Sequence, residues 1–161
     1  MIRSEVNERT KAAVSSFIEV MKEAGAKVAV RPRPDRWSIL EYGGHVRDVL
    51  LSIRERVIVA SIIDVPTGTP IYRDERIELG FYAEDTAKEV LNELETAVVL
   101  FNKTVTTLPA DFDTRELVYS SRTPLAVTIS STFSNAAHEC EHHLGDASDN
   151  LAMFNADNDS V

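Results

Sequence analysis

Cysteine occurs once in this chain, at Cys140, so no disulfide can form within it. Basic residues are also in short supply, with 17 lysines and arginines against 26 aspartates and glutamates and a formal charge of −9. That balance argues against a nucleic-acid binder, which must neutralise phosphates with excess positive charge. The one basic cluster, RPRPDR at 31–36, is broken by prolines and reads as a solvated connector. No stretch has the length of a membrane span, and the opening MIRSEVNERTK lacks the apolar run of a signal peptide. The expectation is a soluble, cytoplasmic protein with neither membrane nor nucleic acid as partner. Only four histidines are present, and three of them fall within NAAHECEHHLGD, residues 135–146.

At 161 residues the chain is long enough for one domain with a real core, expected over 1–152 and followed by a flexible tail over 153–161. Four helical segments can be read from apolar spacing. The first covers 4–25, with Val6, Ala13, Phe17, Met21 and Ala24 on one face and Gly25 as a stop. The second opens at Ser38, where Ser38 and Glu41 form a capping box, and runs to about Ile63. A third is expected from about Ala83 to Leu108, ended by Pro109. The stretch LAVTISSTF is β-branched and reads as a strand on propensity. Thr123-Pro124, however, is a good cap followed by a proline at the first helical position, so a helix from Pro124 to about Asp149 is expected. Long connections join helices 2 and 3 (64–82) and helices 3 and 4 (109–122). With no convincing set of strands, the fold class is all-α, a four-helix bundle.

His138 and His142 lie one helical turn apart, a spacing that lets two imidazoles converge on one ion. His143 is about a third of a turn away and is not expected to share that geometry. The pair points away from the stripe of Ile129, Phe133, Cys140 and Leu144. It lies on the side of Ser131, Ser134 and Asn135, either in solvent or lining a wet cavity within the bundle. His45, on helix 2 between Glu41 and Asp48, offers a third imidazole, although it reads equally as a histidine paired with one of those carboxylates. Gly43 and Gly44 precede it in mid-helix, where glycine is costly and calls for a close-packing reason.

Together, WSILEYGGHVRDVL and HECEHHLGD resemble the DinB-like superfamily, nearest the metal-binding domain of mycothiol-dependent maleylpyruvate isomerase and its relatives. The resemblance implies a four-helix bundle with two long connections, and a divalent metal, zinc or nickel among others, held by three histidines. By motif match these are His45, His138 and His142. It further implies thiol-dependent S-transferase or isomerase activity, with a low-molecular-weight thiol such as mycothiol as co-substrate and an electrophilic second substrate. Where relatives often carry an acidic run in the crossover, this chain has YRDERIE, and Asp74 or Glu75 is expected near the site.

Three neutral ligands would leave the ion its full charge to activate a thiol or a water. Glu139 is then the candidate general base, and Glu41 or Asp48 would orient His45 through its second nitrogen; all three also read as a solvated helix face. Cys140, on the apolar stripe, reads as core. Two other readings stand beside the transferase. One is a metal-dependent hydrolase. The other is a non-catalytic metal-binding bundle, for which the acidic surface and the apolar stripe of helix 4 suggest a homodimer. A zinc protease is disfavoured: HECEH matches its short signature, but Ser148 stands where a further ligand is needed.

Overall fold

A computed structural model describes residues 1–158. Its elements are helix α1 (Arg3–Ala24), α2 (Ile39–Ile62), the short α3 (Arg73–Glu78), α4 (Ala87–Thr107), strands β1 (Glu116–Val118) and β2 (Ala126–Thr128), and α5 (Ile129–Asn158). The four long helices form the expected bundle. α1 packs against α4 and α5, and α2 packs against the same two, so α1 and α2 sit on opposite corners. Phe17, Leu50, Ile53, Leu94, Phe101 and Phe133 are fully buried between them, each from the apolar stripe of its own helix.

Local chemistry sets the helix starts. Ser38 and Glu41 cap α2 reciprocally, as the sequence predicts. α4 begins four residues later than expected because Thr86 and Glu89 form a second capping box there. The largest departure is at α5. Residues Ala126–Thr128 are not its first turn but a strand, paired antiparallel with β1 so that Val127 faces Leu117. The β-branched propensity prevails because β1 supplies a partner that a local reading of the stretch leaves out. Thr128, not Thr123, caps the helix: the Ser131 amide donates to Thr128 Oγ1 at 3.1 Å. α5 also runs on beyond Asp149, so residues 153–158 of the expected tail are helical, while 159–161 lie outside the described residues.

The crossover 64–82 lies across α2. The Gly68 amide donates to the Val118 carbonyl and the Arg56 guanidinium to the Thr69 carbonyl, which ties the crossover to both the ribbon and the helix. Gly43 and Gly44 have the packing reason that the sequence demands. A Cβ on Gly43 would lie 3.0 Å from Val90 Cγ1, and one on Gly44 only 2.7 Å from the Tyr82 ring. The Tyr82 hydroxyl then reaches Asp48 at 2.8 Å. Among the described residues no helix is long and apolar enough to cross a membrane.

Candidate metal centre

His45 projects from the second turn of α2 into the bundle and is buried to 2% exposure. Opposite it, α5 contributes His143, buried to 3%, and the half-buried Glu139 one turn earlier. One ligand-capable atom from each of these three side chains lies within 4.8 Å of the other two. The two imidazoles meet edge to face with centroids 4.8 Å apart. Glu139 Oε2 is 3.6 Å from His143 Nε2, too long for a hydrogen bond.

Aromatic rings hold this arrangement. Trp37, just before α2, packs edge-on to His45 at 5.6 Å and stacks on His143 at 6.4 Å. Tyr42 stacks on His143 at 5.6 Å. The Trp37 carbonyl accepts from the Asn150 amide at 2.7 Å, fastening this corner to α5. His143 Nδ1 lies 3.0 Å from Asp146 Oδ2. A carboxylate can only accept, so Nδ1 carries the proton and Nε2 keeps a lone pair.

The electrostatics keep the cluster ready for a cation. Burial, then the neighbouring His143, pushes His45 down to about 4, so the ring is neutral at pH 7. Among the described residues, two ring nitrogens, His45 Nδ1 and His143 Nε2, are buried without a hydrogen-bond partner. Leaving such groups unpaired is costly, and a cation held between Glu139 and His143 would satisfy the His143 nitrogen. The donor set of two imidazoles and one carboxylate fits a divalent transition metal. Beside it opens a cleft of about 320 Å³ lined by His45, Glu139, Arg56, Arg73, Tyr119 and Arg122, among others.

The other expected site residues lie elsewhere. His138 is exposed and stacks loosely on His142, whose side chain is 57% exposed, so neither joins His45. His142 does group with His143 and Asp146 at the surface, but the nitrogen His143 turns that way is already bonded to Asp146. Glu41 is spent on its capping box and on Arg31. Asp48 is bound to Arg47, Arg76 and Tyr82, and His45 Nδ1 receives nothing from it. Asp74 and Glu75 do line the cleft, with Glu75 paired to Arg122. Cys140 is core, its thiol pushed up to about 12 by burial.

His143 was legible in principle. It falls three residues after Cys140 and four before Ala147, in register with the buried stripe. A ligand inside a bundle must share the core-facing side of its helix. The one-turn spacing of His138 and His142 draws attention instead to the polar side, where those two residues stand.

The fold closely matches that of YfiT from Bacillus subtilis, described as a probable metal-dependent hydrolase with an unusual four-helix bundle topology. The TM-score is 0.85 at 12% identity, covering 95% of this chain and 87% of that one. No curated protein matches. The family model of the DinB superfamily matches residues 7–147, which takes in the capped start of α2, His45, Glu139 and His143: the chain belongs to the DinB superfamily.

Proposed function

We propose that this protein is a divalent-metal enzyme in which His45, Glu139 and His143 hold the ion and the adjoining cleft takes a small substrate. The observation that carries this reading is the convergence of His45, Glu139 and His143, with ligand-capable atoms within 4.8 Å of one another, at an open cleft. Two histidines and a glutamate leave coordination positions free, the catalytic rather than the closed structural pattern. Zinc and nickel both suit imidazole with carboxylate. A bound ion of this kind supplies a lowered pKa to a thiol or water, making either a nucleophile near neutrality.

The protein's own groups do the rest. Asp146 fixes the His143 tautomer, and Trp37 and Tyr42 fix the ring's position. As a ligand, Glu139 contributes one negative charge and is no longer available as the general base. Arg73 and Arg122 line the cleft together with their carboxylate partners Asp74 and Glu75.

The reaction favoured is thiol-dependent transfer or isomerisation with a low-molecular-weight thiol such as mycothiol, as the superfamily branch suggests. Hydrolysis is the second reading. It is supported by the two-histidine, one-glutamate donor set, which metallohydrolases also use, and by the described character of YfiT. Metal analysis of the wild type beside His45→Ala and His143→Ala tests the site; undiminished metal in either variant would overturn it. Metal-loaded protein is then offered a chloro-dinitrobenzene with low-molecular-weight thiols, and separately a nitrophenyl ester. Metal-dependent thiol consumption supports the transferase, ester cleavage without thiol supports the hydrolase, and neither supports a non-catalytic metal-binding bundle.

A further inference from the structure

Among the described residues, Arg56 is the one arginine lining the cleft that no carboxylate pairs with. It is buried to 7% exposure, and among the described residues no carboxylate pairs with it. Its Nη2 donates to the Thr69 carbonyl at 2.5 Å, while Nε and Nη1 are buried without a partner. Tyr119 covers one face of the group at 4.6 Å, and Gly68 packs so closely that a Cβ there would lie 3.0 Å from Nε. The other arginines of the cleft are matched differently: Arg122 pairs with Glu75 and Arg73 with Asp74. A buried, unpaired charge is rare because its desolvation is uncompensated.

Its place on the helix links Arg56 to the metal cluster. Arg56 is eleven residues after His45 on α2, three turns on and within about 20° of the same face. The two backbone positions are therefore about 16 Å apart along the axis. Helical side chains lean toward the N-terminus, and the arginine side chain is the longer of the two, so its guanidinium leans further back along α2 than the His45 ring does. Both residues line the same cleft, with Val49 between them.

We propose that Arg56 is an anion-binding subsite of this cleft: it takes the carboxylate end of an elongated substrate or co-substrate whose reacting end lies at His45, Glu139 and His143. The inference rests on the metal-site reading above. It restricts the ligand to an elongated molecule whose anionic group is separated from its reactive atom by a chain of several atoms, since the two groups stand three helical turns apart. Arg56 is a positioning residue here, since it touches the far end of the ligand and not the reacting atoms.

The test uses cobalt-loaded full-length protein titrated with 6-mercaptohexanoate and, in parallel, 6-mercaptohexanol, followed by the thiolate-to-cobalt absorption. Wild type is expected to bind the acid about tenfold more tightly than the alcohol, the value of one charge-assisted hydrogen-bond pair. Arg56→Gln removes the charge while keeping a polar side chain, and should bring the acid down to the alcohol's affinity, with the alcohol unmoved. Equal binding of acid and alcohol by wild type overturns the subsite while leaving the metal site standing, and needs no variant to fold. A preference for the acid that survives Arg56→Gln overturns the assignment to Arg56. A protein that takes up no cobalt overturns the metal reading and this inference with it.

Discussion

Each histidine of α5 is defined by what its two nitrogens meet. His143 turns one toward Asp146 and leaves the other buried and unbonded, whereas His138 and His142 stand exposed. His138→Ala and His142→Ala are therefore expected to retain metal, and His143→Ala to lose it. Asp146→Asn, which weakens the hold on the ring, should lower metal affinity about 10–100-fold. Isothermal titration with zinc on the four variants checks the set, and metal loss in His138→Ala would restore the spacing-based assignment. Cys140 offers a check outside the site. Its thiol is raised to about 12 in the fold, against an ordinary 9, so above pH 9 the unfolded chain ionises while the native one stays protonated. The unfolded state then binds fewer protons, and stability falls as pH rises from 9 toward 12. Urea midpoints should drop more steeply over that range for wild type than for Cys140→Ala.

At the scale of the element, two glycines in helices call for opposite outcomes. Alanine at Gly44 would drive a methyl into the Tyr82 ring, which is anchored by its hydroxyl to Asp48. The expected cost is about 1–3 kcal/mol, only partly offset by better helix propensity. At Gly145 on α5 an added methyl would meet nothing within 4 Å among the described residues, and the backbone angles there are ordinary. Gly145→Ala should stabilise by about 0.5–1 kcal/mol. Thermal melts of the two variants against wild type decide this; equal shifts would mean that Tyr82 does not pack as described. The same elements mark where local reading succeeds. Reciprocal caps at Ser38 and the apolar stripes of α1, α2 and α4 are encoded within a few turns and are legible in the sequence. The β1–β2 ribbon is not, because its partners are about ten residues apart and pair only once both chain segments have turned back.

For the whole molecule, the candidate metal site ties α2 to α5, two long helices that are adjacent in the bundle but lie far apart in the sequence. A ligand that binds only the folded state stabilises it by mass action, by about 2.7 kcal/mol at a hundredfold excess over its dissociation constant. For a domain of this size that corresponds to a rise of about 5–10 °C in Tm. Adding zinc to metal-free protein should give such a rise, a chelator should reverse it, and His45→Ala should show neither in a scanning-fluorimetry titration.

What the sequence determined by itself was whatever depends on short range: helix periods, capping residues, the need for close packing at Gly43 and Gly44, and the burial of Cys140. It also held the superfamily resemblance, and it singled out His45 and the histidine-rich turn. Which of the neighbouring side chains on that turn meet His45 was left to the tertiary structure. Residues 138–143 span more than one full turn, so spacing alone admits both the 138/142 and the 139/143 pairs. The choice between them is set by the rotation of α5 about its axis. That rotation is fixed by distant contacts, the burial of Ile129, Phe133, Ala136, Cys140 and Ala147 against α1 and α2, and it carries Glu139 and His143 inward and leaves His138 and His142 in water.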